Sequence, residues 1–270
     1  VKIKLMQKLK SLAISNWSLV IILIIASFLR LHNLTELPPG LYPDEAMNGN
    51  NAVEALKSGN LKVFYTENFG REGLFINIQA LFIRQFGHQP WVLRLPSAIF
   101  GILTVLGLYF FTKELFKNKN LALLASFLLA TSFWHINFSR IGFRAIMAPA
   151  FLTWALYLLL KSLNQFKNNY QNWKLEIGNW ILPALAGLIY GLGFHSYIAY
   201  RATPLLVVFV FYFLYKQHSN NLKIVGVLFW AFIISAIVST APLGIYFYQH
   251  PTDFLGRTAG ISIFNSGKSL

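Results

Sequence analysis

Two adjacent acidic residues stand out in the stretch PPGLYPDEAMNGNNA, at residues 38–52. They are Asp44 and Glu45, in a chain that has nine acidic residues among 270. A carboxylate in rigid, polar surroundings can act as a general base toward a hydroxyl, a role that accelerates a reaction by about 10²–10⁴-fold. The spacing also suits two acids in the first turn of a helix after Pro43, where the helix dipole favours negative charge. Spacing alone leaves both interpretations open.

Five arginines are candidates for holding an anion near these carboxylates. A guanidinium is a planar fork that matches phosphate and carboxylate groups. In order of preference, the candidate phosphate-binding residues are Arg94, Arg71, Arg144, Arg201 and Arg140. If residues 140–144 are helical, Arg140 and Arg144 share one face, because they are four residues apart. The competing interpretation is that arginines anchor helix ends at the lipid headgroups, Arg30 and Arg84 first.

His195 and Tyr197 lie close to Arg201 in the sequence and are candidates for binding substrate hydroxyls or a phosphate. Aromatic residues also collect at membrane interfaces, so an ordinary interfacial position competes with this role. The six histidines lack metal-ligand spacing and cysteine is absent, so no metal site is predicted, and a divalent cation is left open. No glycine-rich phosphate loop or nucleotide fingerprint is present, so the sequence does not predict a nucleotide-binding site.

The composition is that of a membrane protein. Hydrophobic residues make up 56% of the chain and charged residues 12%, whereas a soluble domain carries about 25% charged residues. The formal charge of +14 could suggest nucleic acid. The lysines, however, lie between apolar segments, where they report membrane topology. A nucleic-acid partner is therefore not predicted.

Seven apolar segments approach the roughly 20 residues that cross a bilayer. They fall at residues 17–31, 91–112, 120–138, 145–161, 178–195, 199–215 and 222–248. The predicted fold is therefore an all-α polytopic transmembrane bundle of about seven spans. Lysines cluster before the first span and in alternate loops, which predicts a cytoplasmic N-terminus. The arginines fall in the other loops, so the candidate site is predicted on the outer face of a multi-pass protein of the cell membrane.

The first outer loop, residues 32–90, is long enough to carry structure of its own. Residues 44–57 are predicted to form a short helix that begins after Pro43 and ends at Gly59. Residues 73–87 are predicted to form a second one, apolar but too short to span, that lies at the membrane surface. The acidic motif therefore belongs to a large outer loop with two surface helices.

Five stretches, in this order, resemble the membrane glycosyltransferases of the GT-C superfamily, of the family 39 kind. They are LYPDEAMNGNNA, NFGREGLFINIQALFIRQFG, WVLRLPSAIFGILTVLGLYFFTKELF, LLATSFWHINFSRIGFRAIMAPAFLTWALYLLL and, more loosely, GLIYGLGFHSYIAYRATPLL. Together they cover most of residues 30–215. This family includes protein O-mannosyltransferases and the aminoarabinose transferases that act on lipid A.

The resemblance implies inverting transfer of a sugar from a polyprenyl-phosphate donor to a protein, lipid or glycan acceptor on the outer face of the membrane. It implies that Asp44 is the base and that Glu45 shapes the site, and it ties Arg94 to activity. Many relatives have a His-Pro-Pro stretch where this chain has residues 69–73, so the identity of the acceptor does not carry over. Relatives are also longer. Residues 1–270 are expected to form one module that resembles their first seven helices and is truncated relative to the family.

Two other functions are compatible with the sequence. The first is a transporter or flippase for a lipid-linked or anionic solute, which the outer arginines would suit. A transporter should carry ionisable groups near the middle of its spans, where this chain has almost no acids. The second is an inactive truncated relative. Glycosyl transfer is the predicted function, with the lipid-linked donor, its acceptor and membrane lipid as partners.

Overall fold

A computed structural model of the protein describes residues 2–168, 178–217 and 222–254. The α-helices along these residues are α1 (Lys2–Leu31), α2 (Pro43–Ser58), α3 (Leu74–Phe86), α4 (Pro90–Phe116), α5 (Lys119–Thr131), α6 (Phe133–Arg140), α7 (Met147–Asn168), α8 (Gly178–Leu192), α9 (Thr203–Gln217) and α10 (Leu222–Gln249). Short 3₁₀ turns occupy Arg144–Ile146, Gly193–His195 and Ile198–Ala202. Strands β1 (Phe64–Tyr65) and β2 (Arg71–Glu72) pair antiparallel, with Phe64 opposite Glu72. Lys174 and Arg257 lie outside the described residues.

The predicted all-α membrane bundle is confirmed. In the described part of the chain, the stretches that are long and apolar enough to cross a bilayer are Pro90–Phe116, Arg144–Gln165 and Val225–Gln249. Helices α5 and α6 meet at a bend of 57° and together would make a fourth span. The spans predicted at 17–31, 178–195 and 199–215 correspond to the shorter apolar helices Trp17–Leu31, Trp180–His195 and Ile198–Phe213. The number of seven spans therefore stays a prediction.

Arg30 closes the break between α5 and α6. Helix α5 ends where the chain becomes extended at Ser132, so its last carbonyls lose their usual donors four residues on, and Ser132 N donates to the Leu129 carbonyl at 3.3 Å. The Arg30 guanidinium donates to the Leu129 and Ala130 carbonyls at 3.2 and 2.9 Å, and its side chain is fully buried. The expectation that Arg30 is a headgroup anchor is therefore wrong, because the helix break needs its donors. Arg84 is exposed, as that interpretation requires.

The outer loop folds into a small layer of its own, and the two helices predicted in it are confirmed as α2 and α3. Helix α2 begins at Pro43, whose fixed φ suits a first helical position, and ends at Gly59 in the left-handed conformation. The β1–β2 hairpin between the helices was not predicted, because two-residue strands are too short to show an alternating pattern. Buried side chains of the loop pack with the start of α4 in one apolar cluster, made by Ala52, Tyr65, Ile76, Ala80, Ile83, Val92 and Leu93.

Helices α8 and α10 approach each other closely at two glycines. Gly187 and Gly191 of α8 are one turn apart, a spacing that lets helix backbones pack tightly in membranes. A Cβ at Gly187 would collide with the Phe232 carbonyl of α10, and a Cβ at Gly191 with the Ala236 carbonyl. The close helix contact, and not a special backbone conformation, requires glycine here.

We expect Gly187→Ala to weaken the contact between α8 and α10. The added methyl forces a backbone shift, and overpacking of this kind costs about 1–3 kcal/mol. The midpoint of thermal unfolding of the detergent-solubilised chain should therefore fall. Gly244→Ala on α10 is the matched control, since no atom lies within 4 Å of the Cβ position there. The control should keep or raise the midpoint, because alanine favours helix over glycine; equal midpoints for the two variants would contradict the packing.

Candidate active site

The predicted site residues gather at one end of the bundle. Arg94 lies near the start of α4. Arg144 lies in the 3₁₀ turn that precedes α7, and Arg201 lies in the 3₁₀ turn that precedes α9. Lysines lie at the other ends of the same helices, at Lys113, Lys161 and Lys216. The bundle therefore has an arginine end and, opposite it, a lysine end.

A buried ion pair between Glu45 and Arg94 joins the outer loop to α4. Arg94 Nε lies 2.8 Å from Glu45 Oε1, and the two side chains are 1% and 0% exposed. The other guanidinium nitrogens of Arg94 donate to the Leu34 carbonyl at 2.8 Å and to the Gly40 carbonyl. Every guanidinium nitrogen therefore has a protein partner. Arg94 holds the loop in this structure, and its contact with a phosphate stays a prediction.

Glu45 also fixes the backbone of two separate segments. Its carboxylate accepts hydrogen bonds from Tyr42 N at 3.2 Å and from Gly142 N at 3.1 Å. The first bond satisfies a free donor at the beginning of α2. The second draws in the segment between α6 and α7, where Asn48 Nδ2 also donates to the Gly142 carbonyl at 3.1 Å. A Cβ at Gly142 would lie 3.0 Å from Glu45 Cγ, so the close approach favours glycine.

Arg71 is fully buried beside this network. Its guanidinium donates to Asn48 Oδ1 at 2.7 Å and to the Glu67 carbonyl at 3.3 Å, while the Glu67 carboxylate lies 4.0 Å away. Burial lowers the pKa of Arg71, and the charge of Arg144 lowers it further, whereas Glu67 and Asp44 raise it. The buried guanidinium of Arg71 is thus held by neutral groups, the Asn48 amide and the Glu67 carbonyl, and its charge acts on Asp44.

Asp44 is half-buried, whereas the neighbouring Glu45 is fully buried. Asp44 Oδ1 accepts a hydrogen bond from Asn68 Nδ2 at 2.7 Å. Asn68 lies in the turn of the β1–β2 hairpin, where Asn68, Phe69 and Gly70 have φ values of 53°, 62° and 84°. Asparagine and glycine tolerate this left-handed region better than other residues. Sequence reasoning missed Asn68, although an asparagine two residues before a glycine is a turn signal.

Glu72 joins Arg144 and Arg201. Its Oε2 lies 3.1 Å from Arg144 Nε, and its Oε1 lies 3.5 Å from Arg201 Nη2. Arg144 also stacks on the Tyr197 ring, with its Cζ 5.3 Å from the ring centroid. His195 is buried and hydrogen-bonds a carbonyl of α10 through Nε2 at 2.9 Å. The pairing of Glu72 with two arginines was not predicted, because these partners follow it by more than 70 residues.

Arg140 is separate from the Glu72 cluster, which consists of Glu72, Arg144 and Arg201. The backbone is extended at Ile141, so α6 ends at Arg140 and helical structure resumes only at Arg144. The prediction that these two arginines share a helical face is therefore wrong. Arg140 donates to the Leu29 carbonyl at 2.8 Å and to the His32 carbonyl at 2.7 Å, at the end of α1. It caps that helix, whose last carbonyls favour a cation.

Comparison with known proteins identifies the family of this chain. Residues 74–246, more than half of the chain, match the family model described as dolichyl-phosphate-mannose-protein mannosyltransferase. The chain belongs to this family. The resemblance to GT-C glycosyltransferases that its motifs carry is thereby confirmed.

This mannosyltransferase-family chain matches three known proteins over only part of their length. The Bacillus subtilis (strain 168) protein "Putative mannosyltransferase YkcB" is 24% identical over 235 residues, which are 83% of this chain and 30% of that protein. The crystal structure of the Archaeoglobus fulgidus oligosaccharyltransferase in the apo form has a TM-score of 0.66 at 18% identity and covers 94% of this chain and 35% of its own. The oligosaccharyltransferase AglB from Archaeoglobus fulgidus, in complex with an inhibitory peptide and a dolichol-phosphate, has a TM-score of 0.63 at 19% identity, over 90% and 34%. The two structures share the fold, and the chain spans about a third of each relative.

In this mannosyltransferase-family fold, the arginine end offers a carboxylate and cations on one surface. The partly exposed residues at this end are Asp44, Tyr197 and Arg201. The buried charged residues that position them are Glu45, Arg71, Glu72, Arg94 and Arg144. Within the ranges that the structure describes, no three histidine, aspartate and glutamate side chains form a group that could hold a metal ion.

The Glu45–Arg94 pair should stabilise the fold strongly. Arg94→Ala leaves a buried carboxylate without its cation, and breaking one side of a buried pair costs about 3–5 kcal/mol. We expect thermal unfolding of the variant in detergent at a markedly lower temperature. Lys117→Ala is the control, because Lys117 pairs with Glu114 while 58% exposed, and an exposed pair contributes at most about 1 kcal/mol. A similar loss in both variants would count against a structural role for Glu45 and Arg94.

Proposed function

We propose that this chain is the membrane-embedded module of a glycosyltransferase, formed by residues 1–270 with the outer loop at 32–90. It transfers a hexosyl or pentosyl group from a polyprenyl-phosphate donor to an acceptor hydroxyl, with inversion. The observation that carries the proposal is that strand β2 links the helix of Asp44 to two arginines: Arg71 bonds Asn48, one turn after Asp44, and the adjacent Glu72 pairs with Arg144 and Arg201.

Asp44 is the proposed general base. It takes the proton of the acceptor hydroxyl as the acceptor oxygen bonds to the anomeric carbon, while the bond from that carbon to the phosphate oxygen breaks. Glu45 lies on the same helix, but its carboxylate is bonded to Arg94 and to two backbone N–H groups. Its proposed role is therefore to position the loop. Asn68 orients Asp44 by holding one carboxylate oxygen, which leaves the other free to meet the acceptor.

Arg201 and Arg144 are the proposed partners of the donor phosphate. Both are held by Glu72, and Arg201 keeps 21% of its side chain exposed. Polyprenyl phosphate leaves with increased negative charge, and fixed cations stabilise such a group in the transition state without reorganising. Arg71 adds a third, buried cation near Arg144, and the like charges of these two guanidinium groups together attract an anion. Tyr197 lies against Arg144, where it can contact the sugar or the phosphate.

An apolar groove near Arg201 suits the hydrocarbon tail of such a donor. A cavity of about 360 Å³ lies between α8, α9 and α10, and its lining includes Pro204, three residues after Arg201. Its walls are almost entirely aliphatic and aromatic, among them Val207, Phe211 and Ile233. The family description names a dolichyl phosphate donor, and one structural neighbour was solved with a dolichol-phosphate and a peptide. These names support a lipid-phosphate donor and a protein acceptor, with a lipid or glycan as the other acceptor classes.

The proposed topology places the arginine end outside the cell and the N-terminus in the cytoplasm. Lysines in loops between spans mark the cytoplasmic side, and Lys113, Lys161 and Lys216 share the lysine end. Transfer then takes place on the outer face of the membrane.

Asp44→Asn should abolish sugar transfer, by about 10²-fold or more, because the amide cannot accept the acceptor proton. The measurement is transfer from a panel of radiolabelled polyprenyl-phosphate sugars, in membranes that contain the full-length gene product. Glu54→Gln, which alters an exposed acid on the same helix, is the control and should keep full activity. Full transfer by Asp44→Asn would overturn the assignment, and movement of intact donor across the membrane without transfer would favour a flippase.

Asn68→Gly should lower the turnover rate by roughly tenfold, a part of the effect of a general base. Glycine keeps the left-handed backbone but removes the donor to Asp44. Asn68→Asp should additionally move the acid limb of the pH–rate profile to higher pH, because a second carboxyl disfavours the ionised form of Asp44. Asn33 has the same backbone conformation, with φ of 50°, so Asn33→Gly and Asn33→Asp are matched controls. A pH profile unaltered in both Asn68 variants would remove Asn68 from the site.

A further inference from the structure

A large cavity lies toward the lysine end of the bundle, and its lining includes none of the residues of the proposed active site. Its volume is about 850 Å³, within the range of about 300–1,000 Å³ that ligand pockets occupy. It lies between α4, α7 and α9, and its apolar lining is Phe111, Leu115, Leu156, Leu159, Leu160, Leu163, Leu206, Phe209, Val210 and Phe213. Its polar lining is confined to Glu114, Lys117 and Asn164, so the cavity is amphipathic.

Each of the three helices that line this cavity carries a tyrosine followed by a lysine four residues later. The ammonium groups lie over the preceding rings, at 5.7 Å for Tyr109–Lys113, 5.6 Å for Tyr157–Lys161 and 5.4 Å for Tyr212–Lys216. Lysines fold back in this way where a helix leaves the hydrocarbon, and tyrosines collect at the same depth. Three ammonium groups therefore lie on the helices around the cavity, at headgroup level.

The charge at this end of the cavity is positive even when the Glu114–Lys117 ion pair in the lining is counted as neutral. Glu114 is engaged by Lys117, whose Nζ lies 2.5 Å from Oε1, and by Asn164. Glu114, which also interacts electrostatically with Lys161, is one acid beside four lysines, Lys113, Lys117, Lys161 and Lys216, so the described residues at this end carry a net positive charge. Basic pockets between membrane helices attract anionic headgroups, and each lysine near such a group contributes about fivefold in affinity.

We infer that the cavity is a binding site for an anionic phospholipid of the leaflet at the lysine end. Its acyl chains occupy the leucine- and phenylalanine-lined space, and its phosphate lies among the Tyr–Lys pairs. The occupant is argued from shape and charge together: an apolar cavity of this size takes hydrocarbon, and the lysines on the surrounding helices favour an anionic headgroup. The site does not depend on the proposed glycosyl transfer.

Native mass spectrometry of the detergent-purified chain, titrated with phosphatidylglycerol or phosphatidylcholine, tests the inference. We expect phosphatidylglycerol to bind about tenfold more tightly. Combining Lys113→Gln, Lys161→Gln and Lys216→Gln should remove this preference and leave phosphatidylcholine binding unchanged. Lys62→Gln is the matched control, since Lys62 also lies over a tyrosine ring, 5.5 Å from that of Tyr65, but in the outer loop.

A second variant tests the cavity separately from the charge. Leu160→Trp fills the apolar space and should weaken the binding of both lipids, whereas Leu128→Trp, at an exposed position of α5, should weaken neither. Equal affinity of the wild-type chain for the two lipids would overturn the inference. A preference that survives the triple lysine variant, or lipid binding unaffected by Leu160→Trp, would also overturn it.

Discussion

The ion pair between Glu45 and Arg94 determines where the outer loop sits on the bundle. Burying either charge without its partner is costly. The loop is therefore stable only where α2 brings the Glu45 carboxylate to the Arg94 guanidinium. That position also brings Gly142 to Glu45 and Asn48 to Gly142. The remaining contacts of the site are built on this arrangement, because Asp44 follows wherever α2 is placed.

Buried and partly exposed charges have different tasks in this site. Glu45, Glu72 and Arg71 have protein partners in a low-dielectric interior, where an ionic contact is strong but leaves little room to respond to a ligand. Asp44 and Arg201 sit at the rim, each held by one of these inner groups or by the hairpin. For the function proposed above, such fixed groups would meet the condition for electrostatic catalysis, because they need not reorganise when a substrate binds.

The sequence predicted the elements of this site better than the contacts between them. Pro43 and Gly59 bounded α2 correctly, and the outer loop was correctly predicted to carry two helices. Two adjacent acids on a helix of about 3.6 residues per turn must point in different directions, but which one faces inward depends on Arg94, 49 residues later. Arg140 was misjudged for a related reason, because the extended residue after it breaks the helical spacing. Long-range pairing, not local pattern, set these outcomes.

The position of Arg30 bears on how the protein enters the membrane. Its carbonyl partner at Ala130 lies 100 residues further along the chain, and at about 5–20 residues per second a ribosome needs roughly 5–20 s to make that stretch. During this interval the first helix carries a guanidinium that bilayer hydrocarbon disfavours. Biogenesis thus requires the insertion machinery, or the interfacial water that a long side chain can reach, to shelter α1 until α5 emerges.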